Sequence, residues 1–145
     1  LEQIAQHWVE RWDLPVAPAE LVRAKRERLE VSWHRLRPHP QGAGLARALY
    51  GTLGLAIGTG APGDLARVML RVTGLESLFP IVVGADRVRY PKPHPETFLL
   101  AAELMRLDPV RLLVVEDGVL GMRAARAAGM RVLDVRDLSA PPVLE

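Results

Sequence analysis

The first 36 residues carry apolar and charged positions at helical spacing. Apolar side chains recur three or four positions apart, at Ile4, Trp8, Val9 and Trp12. A proline-rich break at 14–18 ends this stripe, and the pattern beyond it predicts a second amphipathic helix from about residue 19 to residue 36. The spacing of the tryptophans indicates packing in a core rather than a ligand-binding cage.

The pattern changes after residue 36. Two prolines and a glycine within 37–42 predict a linker, and beyond it short apolar segments alternate with amphipathic ones. The predicted order is helix 43–50, strand 55–57, helix 64–72, strand 81–83, helix 96–107, strand 112–115, helix 119–128 and strand 132–133. Strands that alternate with helices form a parallel sheet with helices on both faces. We therefore predict an α/β fold with a Rossmann-like sheet over 37–145, preceded by a helical segment over 1–36.

Composition excludes several classes of protein. The 145 residues include no cysteine, which excludes a disulfide scaffold, a zinc knuckle and a cysteine nucleophile. No apolar run approaches the ~20 residues of a membrane helix and no signal peptide is visible, so we expect a cytoplasmic protein without a membrane partner. The net charge is only +2, which gives no indication of nucleic-acid binding. The absence of asparagine is typical of a thermophile or of a GC-rich genome.

Polar groups follow three of the predicted strands, at the edge where ligands bind in parallel sheets. Thr59 and Gly60 lie in a glycine-rich loop, where a hydroxyl and backbone N–H groups can meet an anion. Lys92 stands between two prolines, which restrict the backbone and hold the side chain in place. Glu116 and Asp117 follow a buried strand and are hard oxygen ligands of the kind that Mg²⁺ prefers. Together these positions predict a site for a phosphate group and a divalent cation.

Each of these features also has a purely structural interpretation. The glycines of 58–63 suit a tight turn between a strand and a helix, and Lys92 is compatible with an ordinary surface lysine. Asp117 is compatible with the N-cap of the next helix, and His94 with a cap of the helix near residue 95. A functional site is favoured because the hydroxyl, the ammonium group and the acid pair all lie at strand ends of one sheet.

Four segments of the chain resemble one known family. They are Leu-Ala-Ile-Gly-Thr at 55–59, Tyr-Pro-Lys-Pro-His-Pro-Glu-Thr-Phe at 90–98, Leu-Val-Val-Glu-Asp-Gly-Val-Leu-Gly-Met at 113–122 and Ala-Ala-Arg-Ala-Ala-Gly-Met at 124–130. In this order they resemble the haloacid-dehalogenase-like superfamily of hydrolases, in the branch of phosphoglycolate phosphatase and β-phosphoglucomutase. The resemblance implies a Mg²⁺-dependent phosphohydrolase of small phosphorylated metabolites, or a mutase acting on sugar phosphates.

The resemblance also implies a role for each candidate residue. Thr59, with Gly60 beside it, would hydrogen-bond the phosphoryl oxygens, and Lys92 would neutralise their charge. Asp117 would bind Mg²⁺, and Glu116 would bind the ion directly or through water. Residues 1–36 would be part of a helical cap that closes over the core and selects the substrate.

One element of the family is absent from the 145 residues. The family's nucleophile is the first Asp of an Asp-x-Asp motif at the end of the first core strand, and the chain contains no such motif. We expect this motif, its strand and the phospho-aspartyl intermediate to belong to a segment upstream of Leu1. The sheet then has a gap beside 112–115, which leaves unpaired strand edges. The chain is accordingly expected to be a fragment or an inactive relative, without phosphatase activity of its own.

Three other interpretations stay open. The loop 58–63 reads G-x-G-x-x-G, and Asp86 follows 23 residues later, which fits a module that binds NAD(P). Pro62 removes a backbone N–H from that loop, which counts against it. A metal-independent dehalogenase would leave the acid pair 116–117 unexplained, and a non-catalytic interaction module is supported only by the absent nucleophile. The substrate and the oligomeric state are not predicted.

Overall fold

The structure, a computed structural model, describes residues 2–138, except for the side chains of residues 2–4, 29 and 30. Backbone contacts divide the chain into two units, Leu1–Leu36 and Arg37–Glu145. The assignment of the first unit as a partial cap stays a prediction. Residues 139–145, which belong to the predicted second domain, lie outside the described range.

The first unit consists of two helices. Helix α1 spans Glu2–Trp12 and helix α2 spans Pro18–Ser32, followed by a short 3-10 turn at Trp33–Arg35. The second helix is therefore α-helical only as far as Ser32, short of the predicted residue 36. At its start, Oε2 of Glu20 accepts a hydrogen bond from the Ala17 N–H at 3.3 Å, which satisfies a backbone donor in front of the helix.

The tryptophans at 8 and 12 do not form a core, contrary to the prediction. Trp8 and Trp12 are 42% and 58% exposed, and their ring centroids lie 6.2 Å apart. Among the described side chains of this unit, only that of Ala5 is buried. Two helices of this length enclose too little volume to bury an indole ring on all sides, because a small unit has a large surface for its volume.

The second unit alternates helices and strands, which confirms the predicted α/β fold class. Its elements are α3 (Pro40–Leu49), β1 (Ala56–Gly58), α4 (Gly63–Val72), β2 (Ile81–Val83), α5 (Glu96–Met105), β3 (Leu113–Glu116), α6 (Val119–Ala127) and β4 (Arg131–Asp134). Each predicted strand lies within one residue of its observed position. The predicted linker 37–42 is wrong at its end, since α3 begins at Pro40. Proline suits the first position of a helix because its missing N–H would have no partner there.

The strands pair in parallel, as predicted, but they form two sheets of two strands each. Strand β1 pairs with β2, with Ile57 opposite Val82, and β3 pairs with β4, with Val115 opposite Leu133. Within residues 2–138 no strand hydrogen bonds join β1 to β3. Strand β3 therefore has an open edge, as predicted beside 112–115.

Helices α5 and α6 join the two sheets through a shared core. Helix α5 packs against β1 and β2, α6 packs against β3 and β4, and the two helices contact each other. The buried core between them consists of Phe98, Ala102, Ala124, Ala125, Ala128 and Met130. The small alanine side chains let α6 approach its strands closely around the single aromatic ring. This packing brings the carboxyl ends of β1 and β3 to the same edge of the unit.

Candidate active site

Lys92 joins the carboxyl ends of β1 and β3. Its Nζ donates to the backbone oxygen of Gly58 at 3.1 Å and to Oε1 of Glu116 at 2.6 Å. The side chains of Lys92 and Glu116 are only 13% and 15% exposed, so water screens their ion pair poorly. The ammonium group also lies 4.6 Å from the centroid of the Phe98 ring, where the face of the ring attracts a cation. Two of the predicted site residues are therefore in direct contact.

Thr59 begins the loop that follows β1. Its N–H donates to the Val83 oxygen at the end of β2 at 2.9 Å, and its Oγ1 accepts from the Ala61 N–H at 3.1 Å. Because the hydroxyl oxygen is the acceptor in this turn, its hydrogen stays available to an anion. Gly60 is exposed, and a Cβ there would meet no atom within 4 Å. The loop thus presents a hydroxyl donor and open backbone next to Gly58, the residue that Lys92 binds.

Asp86, the acid assigned to a ribose in the NAD(P) interpretation, binds the start of α4. Its Oδ1 accepts from the Gly63 N–H at 2.6 Å, and the Ala85 N–H donates to the Ala61 oxygen at 2.9 Å. A Cβ on Gly84 would lie 2.3 Å from the Gly63 nitrogen, so only glycine lets the two loops pack this closely. The carboxylate occupies the helix end where a pyrophosphate would bind. This arrangement disfavours the NAD(P) alternative.

The carboxylate of Glu116 is bound on both oxygens. Oε1 accepts from Lys92, and Oε2 accepts from the N–H groups of Asp117 and Gly118 at 2.9 Å each. Burial by itself raises the pKa of Glu116, but the hydrogen bonds from Lys92 and from the two N–H groups outweigh it and hold the pKa below its usual value. A Cβ on Gly121 would lie 1.8 Å from Oε1, so the carboxylate occupies space that a side chain would fill. Gly121 was not predicted as a site residue, although a glycine inside a helix is a detectable signal.

Asp117 is exposed and is not the N-cap of α6. That position belongs to Gly118, which corrects the structural interpretation of Asp117 as a cap. No hydrogen bond or ion pair engages the Asp117 carboxylate within the part of the chain that the structure describes. Mg²⁺, the ion that the resemblance implies, takes one or two carboxylates and keeps several waters. Asp117 fits that ion as a ligand, with Glu116 adjacent and already bound to Lys92.

Glu96, in the first turn of α5, was not predicted as a site residue. Its Oε1 accepts from the Arg89 N–H and its Oε2 from the Tyr90 N–H, both at 2.9 Å. These hydrogen bonds, the one from Arg89 foremost, hold the pKa of Glu96 below its usual value. The Glu96 N–H in turn donates to Nδ1 of His94 at 3.4 Å, which meets one of the free donors at the start of the helix. An acid directly after the proline-rich segment is the only sequence signal for this role.

The family is shown by a direct match. The family described as haloacid dehalogenase-like hydrolase matches residues 3–129, so the chain belongs to that family. Fructose-1-phosphate phosphatase YqaB of Escherichia coli is 37% identical over 135 residues, which is 92% of this chain and 71% of that protein. Hexitol phosphatase B of Escherichia coli is 34% identical over 101 residues, which is 68% of this chain and 46% of that protein.

A solved structure agrees with these relatives. The structure of CbbY from Rhodobacter sphaeroides in complex with phosphate matches with a TM-score of 0.73 at 26% identity, over 82% of this chain and 56% of that chain. The relatives place the chain in the branch of phosphatases and phosphoglucomutases, which confirms the resemblance of the four segments. The chain spans about half the length of hexitol phosphatase B and of CbbY.

Proposed function

We propose that this chain supplies the phosphate-binding and metal-binding part of a Mg²⁺-dependent phosphatase of small phosphorylated sugars. The observation that carries the proposal is the position of Lys92, a shielded cation that binds Gly58 and Glu116. These two residues directly precede Thr59 and Asp117 in the chain. Relatives named as phosphatases of fructose 1-phosphate and of hexitols support a phosphorylated sugar or sugar alcohol as the substrate.

The donors of the site suit a phosphoryl group. A lysine ammonium carries three N–H donors, and the structure uses two of them, on Gly58 and Glu116. The third donor of Lys92 binds a phosphoryl oxygen and offsets the negative charge that gathers in the transition state. The Thr59 hydroxyl donates to a second oxygen, with the open backbone of Gly60 beside it. These groups need little reorganisation because the fold already holds them.

Asp117 holds Mg²⁺ in this proposal, with Glu116 next to it. When bound, the ion supplies positive charge that polarises the phosphoryl oxygens. Glu116 keeps Lys92 oriented through Oε1, and its Oε2 fixes the turn that carries Asp117. The cation of Lys92 and the metal ligand are thereby held in one hydrogen-bonded unit.

We assign the nucleophile to a segment upstream of Leu1, because the 145 residues contain no Asp-x-Asp motif. By the resemblance, that Asp carboxylate attacks phosphorus, the bond from phosphorus to the sugar oxygen breaks, and the second Asp of the motif gives the departing oxygen a proton. Water then cleaves the aspartyl phosphate and releases inorganic phosphate. Residues 1–36 belong to the cap that selects the sugar.

The first test is to read the coding sequence upstream of Leu1 and to measure the intact mass of the purified protein. A heavier protein that carries Asp-x-Asp and hydrolyses fructose 1-phosphate or a related sugar phosphate with Mg²⁺ supports the proposal. A protein of 16.0 kDa without the motif and without turnover contradicts it and indicates an inactive relative.

Two substitutions test the site in the complete phosphatase. Lys92→Ala and Asp117→Ala should each lower kcat/KM by ~10²–10³, the usual effect of removing a group that stabilises transition-state charge. Arg126→Ala removes an exposed cation near the carboxyl end of α6 and should leave the rate unchanged. Initial rates of phosphate release measure the effect, and circular dichroism checks the fold. Near-normal turnover in either site variant would refute the assignment.

A further inference from the structure

The segment 89–96 is closed into a loop by the side chain of Glu96. One carboxylate oxygen binds the Arg89 N–H and the other binds the Tyr90 N–H, both at 2.9 Å. Lys92 lies between these two anchoring points, two residues after Tyr90 and four before Glu96. The loop therefore begins and ends on the same carboxylate, with Lys92 inside it.

These hydrogen bonds hold the loop rather than the helix. An acid in the first turn commonly stabilises a helix by binding that helix's own N–H groups or by favouring its dipole. The oxygens of Glu96 instead meet the N–H groups of Arg89 and Tyr90, seven and six residues earlier in the chain. Glu96 thus ties the fixed start of α5 to the backbone on the far side of Lys92.

The need for such a tie follows from the contacts of Lys92. Its ammonium group reaches a backbone oxygen on β1 and a carboxylate at the end of β3, in two separate sheets. A long lysine side chain loses considerable rotamer freedom when it is held at two points, so the backbone that carries it must be well placed. We propose that Glu96 is a positioning residue for Lys92, which it holds between Gly58 and Glu116 by closing the loop 89–96. The catalytic meaning of this role rests on the proposed function, but the positioning itself does not.

Glu96→Gln is a sharp test, because it keeps the shape of the side chain and removes one acceptor oxygen. Its amide oxygen binds one of the two N–H groups, and its NH₂ faces the other donor without a hydrogen bond. Glu103→Gln is the matched control, since Glu103 lies exposed on the same helix and makes no side-chain hydrogen bond or ion pair among the described residues. Glu96→Asp keeps the charge and shortens the side chain, so it serves as a second variant.

The rate of lysine acetylation measures how accessible the Lys92 ammonium group is, and it does not depend on the activity of the protein. The chain has only two lysines, and the exposed Lys25 of the first unit is an internal reference for the partly buried Lys92. The native chain is treated with an acetylating reagent well below its melting temperature, and the two sites are quantified by mass spectrometry. In the unsubstituted chain, we expect Lys92 to react more slowly than Lys25, because its ammonium group is ion-paired and shielded from the reagent.

We expect the acetylation rate at Lys92 to rise about tenfold in Glu96→Gln, the effect of losing a hydrogen bond to a charged group. Lys25 should be unchanged, Glu96→Asp should give an intermediate rate at Lys92, and Glu103→Gln should match the unsubstituted chain. Hydrogen exchange at the amides of Arg89 and Tyr90 should accelerate in Glu96→Gln. Faster exchange at these amides with an unchanged rate at Lys92 overturns the proposal, and so does equal acceleration of both lysines. Because neither measurement involves turnover, these experiments test the role of Glu96 separately from the proposed phosphatase activity.

Discussion

Gly121 provides the space in which the ion pair of Glu116 and Lys92 forms. An alanine Cβ at this position would lie 1.8 Å from Oε1 of Glu116, so the carboxylate has to move away from Lys92. We expect Gly121→Ala to lower the free energy of unfolding by ~1–3 kcal/mol, the usual cost of overpacking. Gly44→Ala in α3 is the control, because no atom lies within 4 Å of its added Cβ, and it should gain ~0.5–1 kcal/mol from helix propensity. Urea unfolding followed by circular dichroism measures both, and a gain in stability for Gly121→Ala would contradict the observed position of the carboxylate.

Among the described residues, four carboxylates have pKa values below their usual range, which makes the folded state sensitive to acid: Glu76, Glu96, Glu116 and Asp134. Hydrogen bonds from the Arg136 side chain lower the pKa of Asp134 to about 2, and backbone N–H groups lower that of Glu96. The hydrogen bond from Lys92 contributes to the lowered pKa of Glu116, against the effect of burial. A group with a lowered pKa in the folded state adds stability above its unfolded pKa, and this stability is lost as the pH falls through the folded value.

We therefore expect the free energy of unfolding to fall steadily from about pH 4.5 to about pH 2, with no comparable loss from these groups between about pH 5 and 7. Urea midpoints measured across this range test the expectation. Asp134→Asn should flatten the part of the curve below about pH 4, because the asparagine cannot ionise. A midpoint that rises as the pH falls toward 3 would contradict the sign of these pKa shifts.

At the level of elements, the start of α4 depends on a side chain from another loop. Oδ1 of Asp86 accepts a hydrogen bond from the Gly63 N–H at 2.6 Å. Asp86 therefore caps α4, a helix that lies earlier in the chain than Asp86 itself. We expect Asp86→Ala to cost ~1 kcal/mol, the usual value of a lost cap. Asp86→Asn keeps an acceptor and should cost less, as measured by chemical denaturation. Equal losses in the two variants would show that the charge of Asp86, rather than its hydrogen bond, stabilises α4.

The elements themselves were largely predictable, because each depends on a short local pattern. Strand β3 is an apolar run that ends at an acid pair, and the helices carry apolar stripes. The prediction failed at the start of α3, where Pro40 was interpreted as part of a linker although proline also suits a first helical turn. The pairing of strands into two sheets was only partly predictable, because pairing depends on contacts between distant segments.

At the level of the whole molecule, the two units have unequal cores. All three tryptophans lie in the first unit. Among the described side chains of that unit, only the side chain of Ala5 is buried. The buried core around Phe98 belongs to the second unit. We expect tryptophan fluorescence to change at a lower urea concentration than the far-ultraviolet circular dichroism, because the first unit has less buried apolar surface to hold it together. Phe98→Ala should move only the circular dichroism transition, whereas coincident transitions would show that the units unfold as one.

The sequence by itself determined the class of fold, the branch of the family and four polar positions at strand ends. These follow from local periodicity and from motifs in a fixed order, which need no knowledge of distances in space. Thr59, Glu116 and Asp117 were predicted because their residue types stand directly after apolar strands, where parallel sheets bind ligands. Lys92 was predicted because the prolines on both sides of it restrict its backbone.

Only the tertiary structure decided which of these groups meet. Lys92 binds Gly58 and Glu116, which are 34 and 24 residues away in the chain. The supporting roles of Glu96 and Gly121, and the exposure of Trp8, follow equally from the packing. Hydrogen bonds and excluded volume act over a few ångströms, so they are set by how the chain folds back on itself rather than by the neighbours of each residue in the sequence.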